Sequence, residues 1–226
     1  MKKQKPEIVI NSKNYKQGKD VVKLAKQIDK SISKEKSNHI IICVNASDIY
    51  EVKKATKNLK IYSEHVDFHN VGRATGFILP EAVKADGASG TLLNHSEHKL
   101  KWRTIKKTVK RCKQTKLKII LCISNLKQLK KALKLKPEAI AFEVPELIST
   151  SKSITQSKPE SVKMFACLVN KYNNKKSENI KALCGAGISS DNDIKASVEF
   201  GCDGVLIASA VTKARNPGEK LKKLIK

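Results

Sequence analysis

Short runs rich in β-branched residues alternate with amphipathic stretches of helical length along the whole chain, and eight such runs can be read. They lie near Ile8 to Asn11, Ile40 to Val44, Ile61 to Glu64, Gly90 to Asn94, Leu117 to Ile123, Ala139 to Glu143, Ile180 to Cys184 and Gly204 to Ile207. Strand runs separated by helix-length segments predict parallel strands joined by crossover helices. Eight of them in 226 residues fit one closed (β/α)8 barrel over residues 1–226, a little under the ~250 residues typical of that architecture. Between the strands, Val21, Leu24, Ala25, Ile28 and Ile32 recur with helical period, as do Ile105, Val109 and Cys112. Ser190, three residues before Asp193, reads as a helix-capping pair, and Pro217 reads as the first residue of a closing helix. The longest irregular stretches, Val66 to Phe77 and Val144 to Lys158, are the expected functional loops.

Composition removes several classes of function. Apolar residues make up 40% of the chain, enough for a packed interior, and no uninterrupted apolar run reaches the ~18 residues of a membrane span. The basic start Met1 to Pro6 is followed by a strand-like Ile8-Val9-Ile10 rather than a signal-peptide core, so a cytoplasmic location is expected. The cysteines, Cys43, Cys112, Cys122, Cys167, Cys184 and Cys202, lack metal-site spacing and read as reduced core residues. The net charge of +25 is almost entirely lysine, with only four arginines. Nucleic-acid binding is disfavoured, because the lysines are spread over every predicted helix and only 4% of residues are aromatic. A positive field can still speed the arrival of an anionic substrate.

Barrel enzymes place their chemistry at the C-terminal ends of the strands. At those ends this sequence has Asn11 and Lys13, His95, and Glu143, followed by small-residue turns at Cys184 to Ser189 and at Ala208-Ser209. An amide, an ammonium, an imidazole and a carboxylate together can move a proton beside a carbonyl and hold the negative charge that develops. Asn11 and Lys13, two residues apart on extended chain, face the same side. Glycines in the seventh turn let backbone approach a phosphate at a helix start. His39, His65, His69 and His98 carry no such context and read as structural.

Three segments carry a more specific resemblance: Asn11-x-Lys13, Leu79 to Lys84 leading through Gly90 to Glu97, and Glu143 to Ile148. In this order they resemble the triosephosphate isomerase family, with its archaeal branch fitting best, from Ile8 to about Leu224. The resemblance implies a TIM barrel that interconverts dihydroxyacetone phosphate and glyceraldehyde 3-phosphate in glycolysis and gluconeogenesis, with no metal or organic cofactor. It implies Glu143 as the base and Lys13 as a stabiliser of enediolate and phosphate charge. It also implies Asn11 in substrate binding and Ile148, Gly187, Ser189, Ala208 and Ser209 around the phosphate. His95 would be the neutral electrophile, since this family is a well-known case of an imidazole kept neutral by a helix N-terminus. Ser96-Glu97 suits such a helix start, and Glu97 would back Lys13. Thr75 and Gly76 match a loop that reaches a neighbouring subunit, so a homo-oligomer is expected, a tetramer over a dimer.

Departures from the family fall in the loops: Val144 replaces its usual proline, Ser149 and Ser151 stand at glycine positions of the closing loop, and Ala210 replaces a glycine. Arg73-Ala74 replaces the usual small and histidine residues before Thr75. Two rival readings exist. Another phosphate-binding barrel would share the last two turns but not the Asn11, Lys13 and His95 set, and a catalytically weakened barrel would bind RNA through its lysines.

Overall fold

The computed structural model describes residues 5–32, 39–144 and 153–225. Eight parallel strands close into a barrel in sequence order: β1 Glu7–Asn11, β2 Ile40–Val44, β3 Lys60–Ser63, β4 Gly90–Leu93, β5 Lys118–Ile123, β6 Ala139–Phe142, β7 Lys181–Cys184 and β8 Gly204–Ile207. The ring closes where Glu7 to Ile10 of β1 pair with Gly204 to Ile207 of β8. Each predicted strand lies within one residue of an observed one at either end. The described helices are α1 Lys19–Ser31, α2 Ile49–Ala55, α3 Pro80–Ala85, α4 Trp102–Gln114, α5 Leu126–Leu133, α6 Ile154–Ser157, α7 Pro159–Lys176, α8 Asp191–Glu199, α9 Ser209–Thr212 and α10 Pro217–Leu224.

Strand residues alternate between two buried layers. Those facing outward, such as Ile8, Ile10, Ile40 and Ile42, join the helical stripes that include Val21, Leu24, Ala25 and Ile28 of α1. The inward set is a separate cluster: Val9, Ile41, Cys43, Tyr62, Leu92, Ile120, Cys122, Ala139, Ala141, Leu183 and Leu206. Side chains stacked from alternate strands thus fill the barrel. Tyr62 is the largest of them and is accommodated by its neighbour in register, Gly90, where a Cβ would lie 2.3 Å from the tyrosine ring. Gly204 has a different reason: a Cβ there would lie 2.0 Å from the carbonyl oxygen of Glu7, across the β8 to β1 seam. Replacing Gly204 by alanine must therefore shift backbone at the closure of the ring, and a loss of about 3 kcal/mol, the upper end for overpacking, is expected in chemical denaturation. An unchanged midpoint and slope would mean that the seam yields freely.

Local signals explain the helix ends. Ser190 and Asp193 form the predicted capping box, and Pro217 is the first residue of α10. Three expectations require correction. The stretch Val144 to Lys158 is not irregular throughout, because Ser153 accepts a hydrogen bond from the Thr155 N–H and starts α6. The Ser96-Glu97 pair does not start a helix; the chain turns there, with the His98 N–H donating to the His95 carbonyl at 2.9 Å, and α4 begins only at Trp102. All six cysteines are free, but Cys167 is exposed rather than in the core. The buried stripe of α7 runs through Val162, Phe165, Ala166 and Val169, and residue 167 falls off it. No helix among the described residues is long and apolar enough to cross a membrane.

Candidate active site

Asn11 ends β1, and its side-chain oxygen accepts the Lys13 N–H at 3.1 Å, so the two predicted groups are tied to one turn. The chain is not extended across this pair as expected: Ser12 has helical backbone and Lys13 left-handed backbone, φ 47°, a costly conformation for a residue with a side chain. Its ammonium lies 2.6 Å from Glu97 Oε1 on the β4 loop. That loop is pinned by Asn94, which donates from Nδ2 to the Cys122 carbonyl at 2.9 Å and accepts the Leu100 N–H at 2.8 Å.

His95 follows directly. Its Nδ1 lies 3.2 Å from the Glu97 N–H, which donates to it. A ring nitrogen that accepts a hydrogen bond carries no proton, so the imidazole is in the neutral tautomer with its proton on Nε2. Here a backbone N–H in a turn does the work that the sequence suggested for a helix start. Nε2 lies 3.1 Å from Glu143 Oε1. Glu143 is only 3% exposed, and its other oxygen accepts the Ser96 N–H at 3.3 Å. The Cys122 thiol also contacts this carboxylate; burial first, and then the charge of Glu143, push that thiol well above its usual range, so it remains a protonated donor.

Two chambers open at this end of the barrel, and Asn11, Lys13 and His95 line both. The first, of about 200 Å³, also contains Glu143, Gly187, Ser189, Ala208 and Ser209. Gly187 supplies the left-handed turn, φ 65°. The Ser189 N–H donates to Asp193 Oδ2 at 3.1 Å, which ties the turn to the start of α8. The Ser189 carbonyl accepts from Lys220 of α10 at 3.0 Å, which anchors the turn to the closing helix. Of the predicted phosphate residues, Ile148 lies outside the described residues, as do Ser149 and Ser151 of the closing loop.

Profile comparison decides among the barrel enzymes: the family described as triosephosphate isomerase matches residues 6–226. The chain belongs to the triosephosphate isomerase family. It is 42% identical over 214 residues to the triosephosphate isomerase of Saccharolobus solfataricus, covering 94% of this chain and 91% of that one. The triosephosphate isomerase of Methanocaldococcus jannaschii is 38% identical, covering 97% and 98%, and that of Methanobrevibacter smithii is 37% identical, covering 97% of each. The rival readings, another phosphate barrel or an RNA-binding scaffold, have no such support.

Sequence reasoning did not identify every group at a triosephosphate isomerase mouth of this shape. Tyr15 lines the first chamber and is overlain by the Lys213 ammonium, 4.2 Å from the ring centroid. Glu64 lines the second chamber, with His65 and His98. The two histidines, read as structural, pack against each other at a tilt, with ring centroids 4.3 Å apart. The inward alternation of Lys60, Tyr62 and Glu64 along β3 was the signal that could have placed Glu64 at the mouth.

Proposed function

We propose that this isomerase interconverts dihydroxyacetone phosphate and glyceraldehyde 3-phosphate, with Glu143 as the proton carrier. One observation carries the reading: a nearly fully buried carboxylate, Glu143, faces the protonated nitrogen of a neutral imidazole, His95, in a chamber that also holds the Lys13 ammonium. The carboxylate removes a proton from the carbon beside the carbonyl, and the carbonyl oxygen becomes an enediolate oxygen. The His95 Nε2–H and Lys13 stabilise that charge. Asn11 orients the substrate, and the turns at Gly187 to Ser189 and Ala208-Ser209, with Ile148, hold the phosphate. A proton passes from the hydroxyl oxygen to the former carbonyl oxygen, and Glu143 then returns its proton to the neighbouring carbon, which leaves the carbonyl on the other atom. Glu97 holds Lys13 in place through the 2.6 Å contact. A coupled assay on the purified chain tests this directly: rapid consumption of glyceraldehyde 3-phosphate is expected, and none at micromolar enzyme would refute it.

The same reading includes a cytoplasmic enzyme that self-associates, as a tetramer rather than a dimer. Val71 and Phe77, 72% and 47% exposed on the loop after β3, support association through that loop. The +25 charge opposes it, most strongly where salt does not screen like-charged subunits. Light scattering should therefore report assembly that strengthens with ionic strength, and a monomer fully active at every salt concentration would contradict the proposal.

A further inference from the structure

The chemistry proposed above makes no use of Glu64, a partly buried carboxylate just past β3, yet Glu64 touches the turn that bears two of the reacting groups. Its Oε1 accepts the Ser12 hydroxyl at 3.0 Å. Ser12 is completely buried and sits between Asn11 and Lys13. The left-handed conformation of Lys13 is strained and needs surroundings that enforce it. Three bonds do so: the Ser12 N–H to the Cys43 carbonyl at 2.9 Å, the Lys13 N–H to Asn11 Oδ1 at 3.1 Å, and the Ser12 hydroxyl to Glu64.

We propose that Glu64 is a positioning residue of this isomerase, bracing the Ser12-Lys13 turn so that the Lys13 ammonium is held for an anionic substrate, and adding a negative charge there when it ionises. The inference rests on the isomerase reading of the site. The groups that face Glu64 are Lys13 from the turn after β1, Cys43 from β2, and His95 and Glu97 from the β4 loop, with His65 beside it on its own strand end. Burial pushes its carboxyl up to about 7, the Ser12 hydroxyl, His95 and the Lys13 N–H pull it down, and Glu97 adds to the rise. A protonated carboxyl still accepts the Ser12 hydroxyl through its carbonyl oxygen, so the brace survives titration. What changes across neutrality is the charge near a bound phosphate, and a like charge disfavours an anion.

Glycerol 3-phosphate, which has the phosphate but no carbonyl to react, is a suitable probe. Its binding to the full chain is measured by calorimetry from pH 5.5 to 8.5, with KM and kcat alongside, for wild type, Glu64→Gln, Glu64→Ala and Ser12→Ala. At about pH 6 both alanine variants should bind about ten-fold more weakly than wild type and show a similar rise in KM with a smaller change in kcat, while Glu64→Gln restores affinity. The wild-type dissociation constant, divided by that of Glu64→Gln, should rise from about one below pH 6 to about five above pH 8. Unchanged affinity in Ser12→Ala and Glu64→Ala overturns the brace, and parallel pH profiles of wild type and Glu64→Gln overturn the charge effect. If Glu64→Ala fails to fold, Ser12→Ala and Glu64→Gln decide. Binding that behaves as expected in protein without turnover supports the brace and counts against the isomerase reading instead.

Discussion

Replacing Glu143 by glutamine is expected to lower kcat by about 10²- to 10⁴-fold, the range for loss of a general base. Glutamine is nearly isosteric and its carbonyl oxygen can still accept the Ser96 N–H, which Glu143 accepts at 3.3 Å. It cannot take a proton from carbon. Binding of glycerol 3-phosphate should change little, because the phosphate is assigned to other loops. Steady-state kinetics with calorimetry on the same preparation makes the comparison, and near-normal turnover in a folded Glu143→Gln protein would remove this residue from the mechanism.

His95→Gln should lower kcat by about 10²- to 10³-fold, the loss seen when one preorganised donor to a developing oxyanion is removed. The tautomer sets this role. The Glu97 N–H occupies Nδ1 at 3.2 Å and leaves Nε2–H as the donor, 3.1 Å from Glu143 Oε1. A glutamine amide has its donor on a flexible arm that no backbone N–H orients. KM should move less than kcat, since the charge that His95 meets develops after binding. An equal rise in KM with kcat intact would mean that His95 binds substrate and does not stabilise the enediolate.

The barrel was legible because each strand is buried on both faces and reads as an apolar run such as Ile40 to Val44, and because crossover helices carry one apolar stripe, as in α1. The candidate site was legible through the resemblance and the strand-end rule, which bring Asn11, Lys13, His95 and Glu143 to one chamber. What escaped depends on contacts between residues distant in the chain. Ser96-Glu97 has the composition of a helix start, but Leu100 is pulled onto Asn94 and the helix is delayed to Trp102. Glu64 belongs to no motif in the sequence, and it is the approach of Ser12, 52 residues earlier, that ties it to the turn bearing Lys13. Cys122 seemed one more core thiol until the closure of β5 against β6 placed it under Glu143.

The central claim is that one carboxylate carries a proton between adjacent carbons through an enediolate, and isomerisation in deuterium oxide followed by proton NMR tests it most directly. A proton held on Glu143 exchanges with solvent in competition with its return to carbon. Deuterium should therefore appear at the carbon beside the carbonyl in product and recovered substrate in wild type, and both labelling and turnover should collapse together in Glu143→Gln. Labelling and turnover that persist together in a folded Glu143→Gln protein would mean that another group carries the proton, and the account of this site would be wrong.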